Sequence, residues 1–159
     1  MTIKVGDKLP DTDLMMMTDK GPTKIKTMDL FGGKKVALFA VPGAYTPTCS
    51  AKHLPGFVDN TTNLNAKGVD EIVCLSVNDP FVMAAWGKDH NAGGIKMVAD
   101  PDATFTKAMN LEFDASGAGL GIRSRRYSML VDDGLVTKLN LEESGGFEVS
   151  DAETLLSQL

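Results

Sequence analysis

A chain of 159 residues is long enough to bury one core without disulfide or metal staples, and too short for a multidomain assembly. Its 43% hydrophobic and 23% charged residues, with 16 Gly and 7 Pro, suit a globular protein and exclude a disordered or collagen-like one. Twenty-one acidic against 16 basic residues give a net charge of −5, the wrong sign for a surface that neutralises nucleic-acid phosphates, so nucleic acid is not an expected partner.

In chain order, the first residues, Met1-Thr2-Ile3-Lys4-Val5-Gly6-Asp7, carry neither a basic-then-apolar signal peptide nor an Arg-rich transit peptide, and the expected location is cytoplasmic. Met15-Met16-Met17 lies in an expected strand, where methionines are packing residues before they are soft-metal ligands. Residues 35–41, Lys-Val-Ala-Leu-Phe-Ala-Val, form an apolar run closed by Pro42-Gly43, which predicts a strand buried on both faces. Residues 46–66 read as a helix opened by Thr46-Pro47 and kinked or restarted at Leu54-Pro55-Gly56. Residues 69–77 hold a second buried strand, ending at Asn78-Asp79-Pro80, where Asp79 caps a helix that runs to about His90.

A short strand is expected at 96–99 and a short helix at 101–110. Two strands at 127–131 and 135–139 flank Asp132-Asp133-Gly134, a hairpin signal, and Ser150-Asp151-Ala152-Glu153 reads as a capping box opening a last helix. The longest apolar runs, 36–41 and 81–86, have six residues each against the roughly 20 needed to span a membrane, so no membrane span is expected. Without repeats, low-complexity tracts or a polar linker, residues 1–159 read as a single domain. A βαβ unit followed by an antiparallel ββα unit is the order of a thioredoxin-like α/β fold. Its central mixed β-sheet would be flanked by helices and preceded by an N-terminal β-hairpin. Other α/β topologies share this order.

Two cysteines, Cys49 and Cys74, are too few for a secreted disulfide framework, and no Cys or His cluster has zinc-ligand spacing. With Thr46 as N-cap, Cys49 is the third residue of its helix, where unpaired amides and the positive end of the helix dipole favour thiolate over thiol. A lone cysteine is more often a small buried hydrophobe, but Thr46, Thr48 and Ser50 make polar surroundings for this one. The Thr46 hydroxyl can cap the Thr48 or Cys49 amide, and can also donate to the sulfur or to a substrate oxygen. Pro42 ends the strand and would shield the sulfur from water. His53, four residues after Cys49, suggests a Cys-His hydrolase, yet no Asn or Asp partner is identifiable and a supporting role fits better. Arg123, Arg125 and Arg126 are equal candidates by residue type for a charge near the site.

The run Pro42-Gly43-Ala44-Tyr45-Thr46-Pro47-Thr48-Cys49 resembles the peroxiredoxin signature P-x-x-x-T-x-x-C. Its continuation, Ser50-Ala51-Lys52-His53-Leu54-Pro55-Gly56-Phe57, is similar to the type II, or fifth-class (atypical), members. The likeness extends from Val5-Gly6-Asp7-Lys8-Leu9-Pro10 to the C-terminal Leu155-Leu156-Ser157-Gln158-Leu159. The resemblance implies a thioredoxin fold, an antioxidant thiol peroxidase acting on hydrogen peroxide and organic hydroperoxides, and a homodimer. It implies Cys49 as the peroxidatic cysteine, with Pro42, Thr46 and Arg126 completing the site. Arg126 is preferred because it precedes Tyr127-Ser128-Met129, where the family carries its arginine. No metal or organic cofactor is expected.

A sulfenic acid on Cys49 must be returned to thiol, and Cys74 is the only other thiol in the chain. Cys74 lies mid-strand, where an inert core thiol is the plain reading. The cysteine that many fifth-class relatives carry in the segment corresponding to 145–150 is absent. The chain in this respect resembles type II enzymes regenerated by glutathione with glutaredoxin, or by thioredoxin, with Cys74 dispensable or auxiliary. A non-catalytic redox sensor or holdase switched by Cys49 oxidation is the competing function. A thiol-disulfide oxidoreductase is disfavoured because Thr46-Pro47-Thr48-Cys49 stands where Cys-x-x-Cys would be.

Overall fold

The computed structural model describes residues 1–143 and 145–159. In chain order the strands are β1 (Asp13–Thr18) and β2 (Gly21–Lys26), an antiparallel hairpin, then β3 (Lys35–Ala40), β4 (Glu71–Ser76) and β5 (Lys96–Ala99). They are followed by a short antiparallel pair, β6 (Glu112–Asp114) and β7 (Ile122–Ser124), and by the hairpin β8 (Tyr127–Asp132) and β9 (Leu135–Leu141). The helices are α1 (Thr27–Phe31), α2 (Leu54–Asp59), α3 (Thr61–Ala66), α4 (Pro80–Asp89), α5 (Thr104–Ala108) and α6 (Ala152–Ser157). Seven strands make one mixed sheet in the order β2-β1-β5-β4-β3-β8-β9, parallel between β3, β4 and β5 and antiparallel elsewhere.

Side-chain alternation along the central strands divides the interior into two cores. Val36, Leu38 and Ala40 of β3, with Val73 and Leu75 of β4, meet Leu30 and Phe31 of α1 and Phe105 of α5. On the opposite face Ala37, Phe39, Ile72 and Cys74 pack under Leu54, Phe57, Leu64, Met83, Trp86 and Leu155, from α2, α3, α4 and α6. Each large apolar side chain so removed from water contributes about 1.5–3 kcal/mol. The result is the expected thioredoxin-like α/β arrangement with an N-terminal hairpin. Among the described residues no helix is long and apolar enough to cross a membrane.

Local signals account for several boundaries. Asp79 caps α4 by accepting from the Val82 amide at 2.8 Å, with Pro80 at the first helical position. Asp133 and Gly134, at φ 49° and 80°, make the two-residue turn between β8 and β9. Positive φ at both positions is the hairpin geometry that Asp-Gly favours.

Three expectations need correction. The helix at 46–66 begins at Pro47, passes through a π-helical turn at Cys49–His53, and continues as α2 and α3, which break apart at Asn60. Pro55 has no amide to close a regular turn, and the Leu54 amide reaches back five residues to the Cys49 carbonyl. The capping box is displaced by one residue: Asp151, not Ser150, caps α6 by accepting from the Thr154 amide at 3.1 Å, because Ser150 is held elsewhere. The helix expected at 101–110 shrinks to α5, behind a left-handed Ala103. Helix α1 and the β6-β7 pair have no counterpart in the sequence reading, being only five and three residues long.

Candidate active site

Strand β3 delivers the chain to Pro42-Gly43-Ala44-Tyr45, a loop that turns it into the helix carrying Cys49. Tyr45 adopts a left-handed φ of 65°, strained for a residue with a side chain, and its hydroxyl donates to Asp89 at 2.6 Å. The Ala44 amide donates to Asn78 Oδ1 at 3.0 Å. A Cβ on Gly43 would lie 2.8 Å from Arg123 Nη1 and 3.1 Å from Thr46 Cγ2, so a side chain there would displace the Arg123 guanidinium. The loop is therefore pinned on both sides, and it fixes where the helix begins. Cys49 occupies the first turn, and Ser50 beside it accepts from the buried Trp86 indole at 3.0 Å.

The guanidinium of Arg126, just ahead of β8, meets the sulfur. Its Nη2 donates to Cys49 Sγ at 3.1 Å and its Nη1 lies 2.9 Å from His53 Nδ1. An arginine can only donate, so Nδ1 accepts, and Nε2–H donates to the Ser150 carbonyl at 2.9 Å. That assigns His53 as a neutral imidazole in one tautomer. Burial first, and the Arg126 charge second, lower its pKa from the ordinary 6.5 to about 3. Phe39, Phe57 and Phe147 surround the imidazole, with ring centroids 5.0, 5.7 and 5.1 Å away, and Phe147 also faces the Arg126 guanidinium at 5.8 Å.

The Thr46 hydroxyl donates its proton to the Gly43 carbonyl at 2.7 Å and therefore not to the sulfur, and among the described residues it accepts from neither the Thr48 nor the Cys49 amide. Its lone pairs remain free to accept. Pro42, Thr46, Thr48, Phe113, Arg126 and Gly145 are among the residues that line a cleft of about 580 Å³. Cys49 is wholly buried, and Arg126, which bonds its sulfur, is the residue that joins it to the cleft lining.

The site thus brings together a cysteine in the first turn of a helix, an arginine on its sulfur, and a nearby threonine and proline. The chain matches the Redoxin family over residues 4–156. It is 48% identical to Peroxiredoxin-2B of Arabidopsis thaliana over 99% of this chain and 98% of that one, and 50% identical to Peroxiredoxin-2C of Oryza sativa subsp. japonica with the same coverage. The chain belongs to the peroxiredoxins. Among solved structures, reduced Prx3 of Vibrio vulnificus in complex with hydrogen peroxide is similar at 53% identity and a TM-score of 0.96, covering 99% of both chains.

In this peroxiredoxin the three arginines of the 123–126 segment part company. Arg123 donates to the carbonyls of Leu120 and Pro42, at 2.9 and 3.3 Å, and Arg125 donates to the Glu142 carbonyl at 3.0 Å. Only Arg126 bonds the sulfur. Cys74, on β4, is buried in the same cluster as Cys49. Burial first, and the neighbouring Cys49 second, raise its pKa well above the ordinary thiol value, against a weaker pull from Arg126. Both cysteines are free. Sequence reasoning missed Glu142, Phe147 and the Ser150 carbonyl, which contact His53, Arg126 and their surroundings from the segment after β9. A lone acid at a strand end and a backbone oxygen carry no motif by which they could be found.

Proposed function

We propose that this peroxiredoxin reduces hydrogen peroxide and organic hydroperoxides through a Cys49 sulfenic acid. The observation that carries the proposal is the 3.1 Å bond from Arg126 Nη2 to Cys49 Sγ at the cleft. The Cys49 thiolate attacks the terminal oxygen in line with the O–O bond; an S–O bond forms, the O–O bond breaks, and two electrons pass from sulfur to the leaving oxygen. That oxygen leaves as hydroxide or alkoxide and takes a proton to become water or an alcohol. Arg126 cannot deprotonate, so it stabilises the thiolate beforehand and the oxyanion as it develops. Thr46, its proton committed to Gly43, accepts the peroxide O–H and orients the substrate, while Pro42 screens the sulfur from water.

Regeneration in this proposal uses an external thiol: glutathione with glutaredoxin first, thioredoxin second. The donor sulfur condenses with the sulfenic acid to a mixed disulfide and water, and a second thiol then releases Cys49. Burial first, and the neighbouring Cys49 second, raise the Cys74 pKa, which supports an auxiliary role at most. The proposal also takes residues 1–159 as one domain working as a cytoplasmic homodimer. Exposed Tyr45, Phe81, Phe113 and Ile122 offer apolar surface for the partner.

Peroxide consumption by wild type and Cys74→Ser, each with purified glutaredoxin plus glutathione or with thioredoxin, tests this. Both proteins are expected to turn over, faster with the glutaredoxin system. Loss of all turnover in Cys74→Ser with every donor, while sulfenic acid still forms, would overturn resolution by an external thiol.

A further inference from the structure

Glu142 follows β9, outside the signature residues, yet more bonds converge on it than on any other carboxylate near the site. Its Oε2 accepts from the amides of Glu148, Val149 and Ser150 at 2.9, 2.9 and 2.7 Å, and from the Ser150 hydroxyl at 2.7 Å. Its backbone is tied to the arginine segment: the Glu142 amide donates to the Arg126 carbonyl at 3.0 Å, and the Glu142 carbonyl accepts from Arg125 Nη2 at 3.0 Å. Burial opposes ionisation of Glu142, but these four bonds outweigh it and hold its pKa below the usual carboxylate value. One anion therefore joins the segment that bears Arg126 to the loop that bears the Ser150 carbonyl.

We propose that Glu142 is a positioning residue for peroxide reduction: by gathering residues 148–150 it places the Ser150 carbonyl on His53 Nε2–H, leaving Nδ1 to accept from Arg126 and aiming the guanidinium at Cys49. The chain of contacts is continuous, with 2.7 Å from Glu142 to the Ser150 amide, 2.9 Å from the Ser150 carbonyl to His53, 2.9 Å from His53 to Arg126 and 3.1 Å from Arg126 to sulfur. A neutral amide of the same shape cannot replace the carboxylate. It lacks the charge that makes four simultaneous bonds favourable, and it can turn an NH₂ group toward the three amides. The charged groups facing His53 are Arg126 ahead of β8, Glu142 after β9 and Asp151 at the start of α6; Cys49 shares its helical turn, and its aromatic neighbours are uncharged. Without the loop, His53 gains access to water and to a second proton, and a protonated imidazole has no lone pair for Arg126.

The inference rests on the peroxidase reading, and the test separates the two. The rate of the pre-reduced protein with hydrogen peroxide is followed through the single tryptophan, Trp86, for wild type, Glu142→Gln, His53→Gln and the double variant. Glu142→Gln is expected to be slower by about 10²-fold, the scale of a misplacement near 1 Å. Its deficit should widen as pH falls from 8 to 6, and most of the effect should vanish in the His53→Gln background. A Glu142→Gln rate equal to wild type overturns the proposal, as does a deficit independent of pH and additive with His53→Gln. Should Glu142→Gln not fold, ¹⁵N spectra of the wild-type imidazole decide: a proton on Nε2 supports the chain of contacts and a proton on Nδ1 overturns it. Wild type that consumes no peroxide while showing the Nε2–H tautomer would contradict the peroxidase reading instead.

Discussion

Arg126 is the residue at which charge and geometry meet, because one guanidinium serves the sulfur and the imidazole at once. Replacing it by glutamine removes a charged donor from a desolvated site, and Arg126→Gln should lower the rate with peroxide by about 10²–10³-fold. Arg125→Gln, which loses a bond to the Glu142 carbonyl but none to sulfur, should lose far less; equal rates for the two variants would refute the assignment. His53 makes a separate prediction about stability. Its folded pKa of about 3 lies below the ordinary 6.5, so between these values the unfolded chain binds the extra proton. The contribution is complete above pH 6.5 and is lost as pH falls through the window, by up to about 1.4 kcal/mol per pH unit. Denaturant unfolding at pH 7.5 and pH 5 should show a smaller acid loss for His53→Gln than for wild type, and identical losses would exclude the buried neutral imidazole. Cys49 was legible as a thiol at a helix start among polar neighbours, whereas Thr46 and Pro42 had plain readings as a cap and a strand end until the resemblance joined them to it. Arg126 was separable from Arg123 and Arg125 only through resemblance, since all three share a type and a neighbourhood.

Elements with strong local chemistry were the readable ones. Strand β3 showed itself through an apolar run closed by Pro42-Gly43, α4 through Asp79-Pro80, and the β8-β9 hairpin through Asp133-Gly134. Gly134 sits at φ 80°, where a Cβ costs about 1–2 kcal/mol, so Gly134→Ala should lower the free energy of unfolding by that amount in chemical denaturation. An unchanged value would mean that the turn is not the two-residue form described. The π-helical turn at Cys49–His53 was hidden, although Pro55 marked a disturbance. A proline states that one amide is missing, but whether the helix kinks, stops or widens depends on what packs around it. The capping box misled for a related reason. Glu142 bonds both the amide and the hydroxyl of Ser150, and the cap passes to Asp151.

For the whole molecule, two cores on opposite faces of one sheet hold the loop at 42–45, the arginine ahead of β8 and the segment after β9 around a single sulfur. Order of elements made the fold class legible, because βαβ followed by ββα has few α/β solutions. The long-range contacts that complete the site, between residues 73 to 97 positions apart, carry no local pattern. Catalytic turnover at Cys49 is the claim on which the rest depends. The most direct test is to count equivalents of hydrogen peroxide consumed per chain by wild type and Cys49→Ser in the presence of excess thiol donor. Wild type should consume many equivalents at a steady rate and Cys49→Ser none above background. A wild-type reaction that stops after one equivalent, or a Cys49→Ser variant that keeps pace with it, would contradict the account.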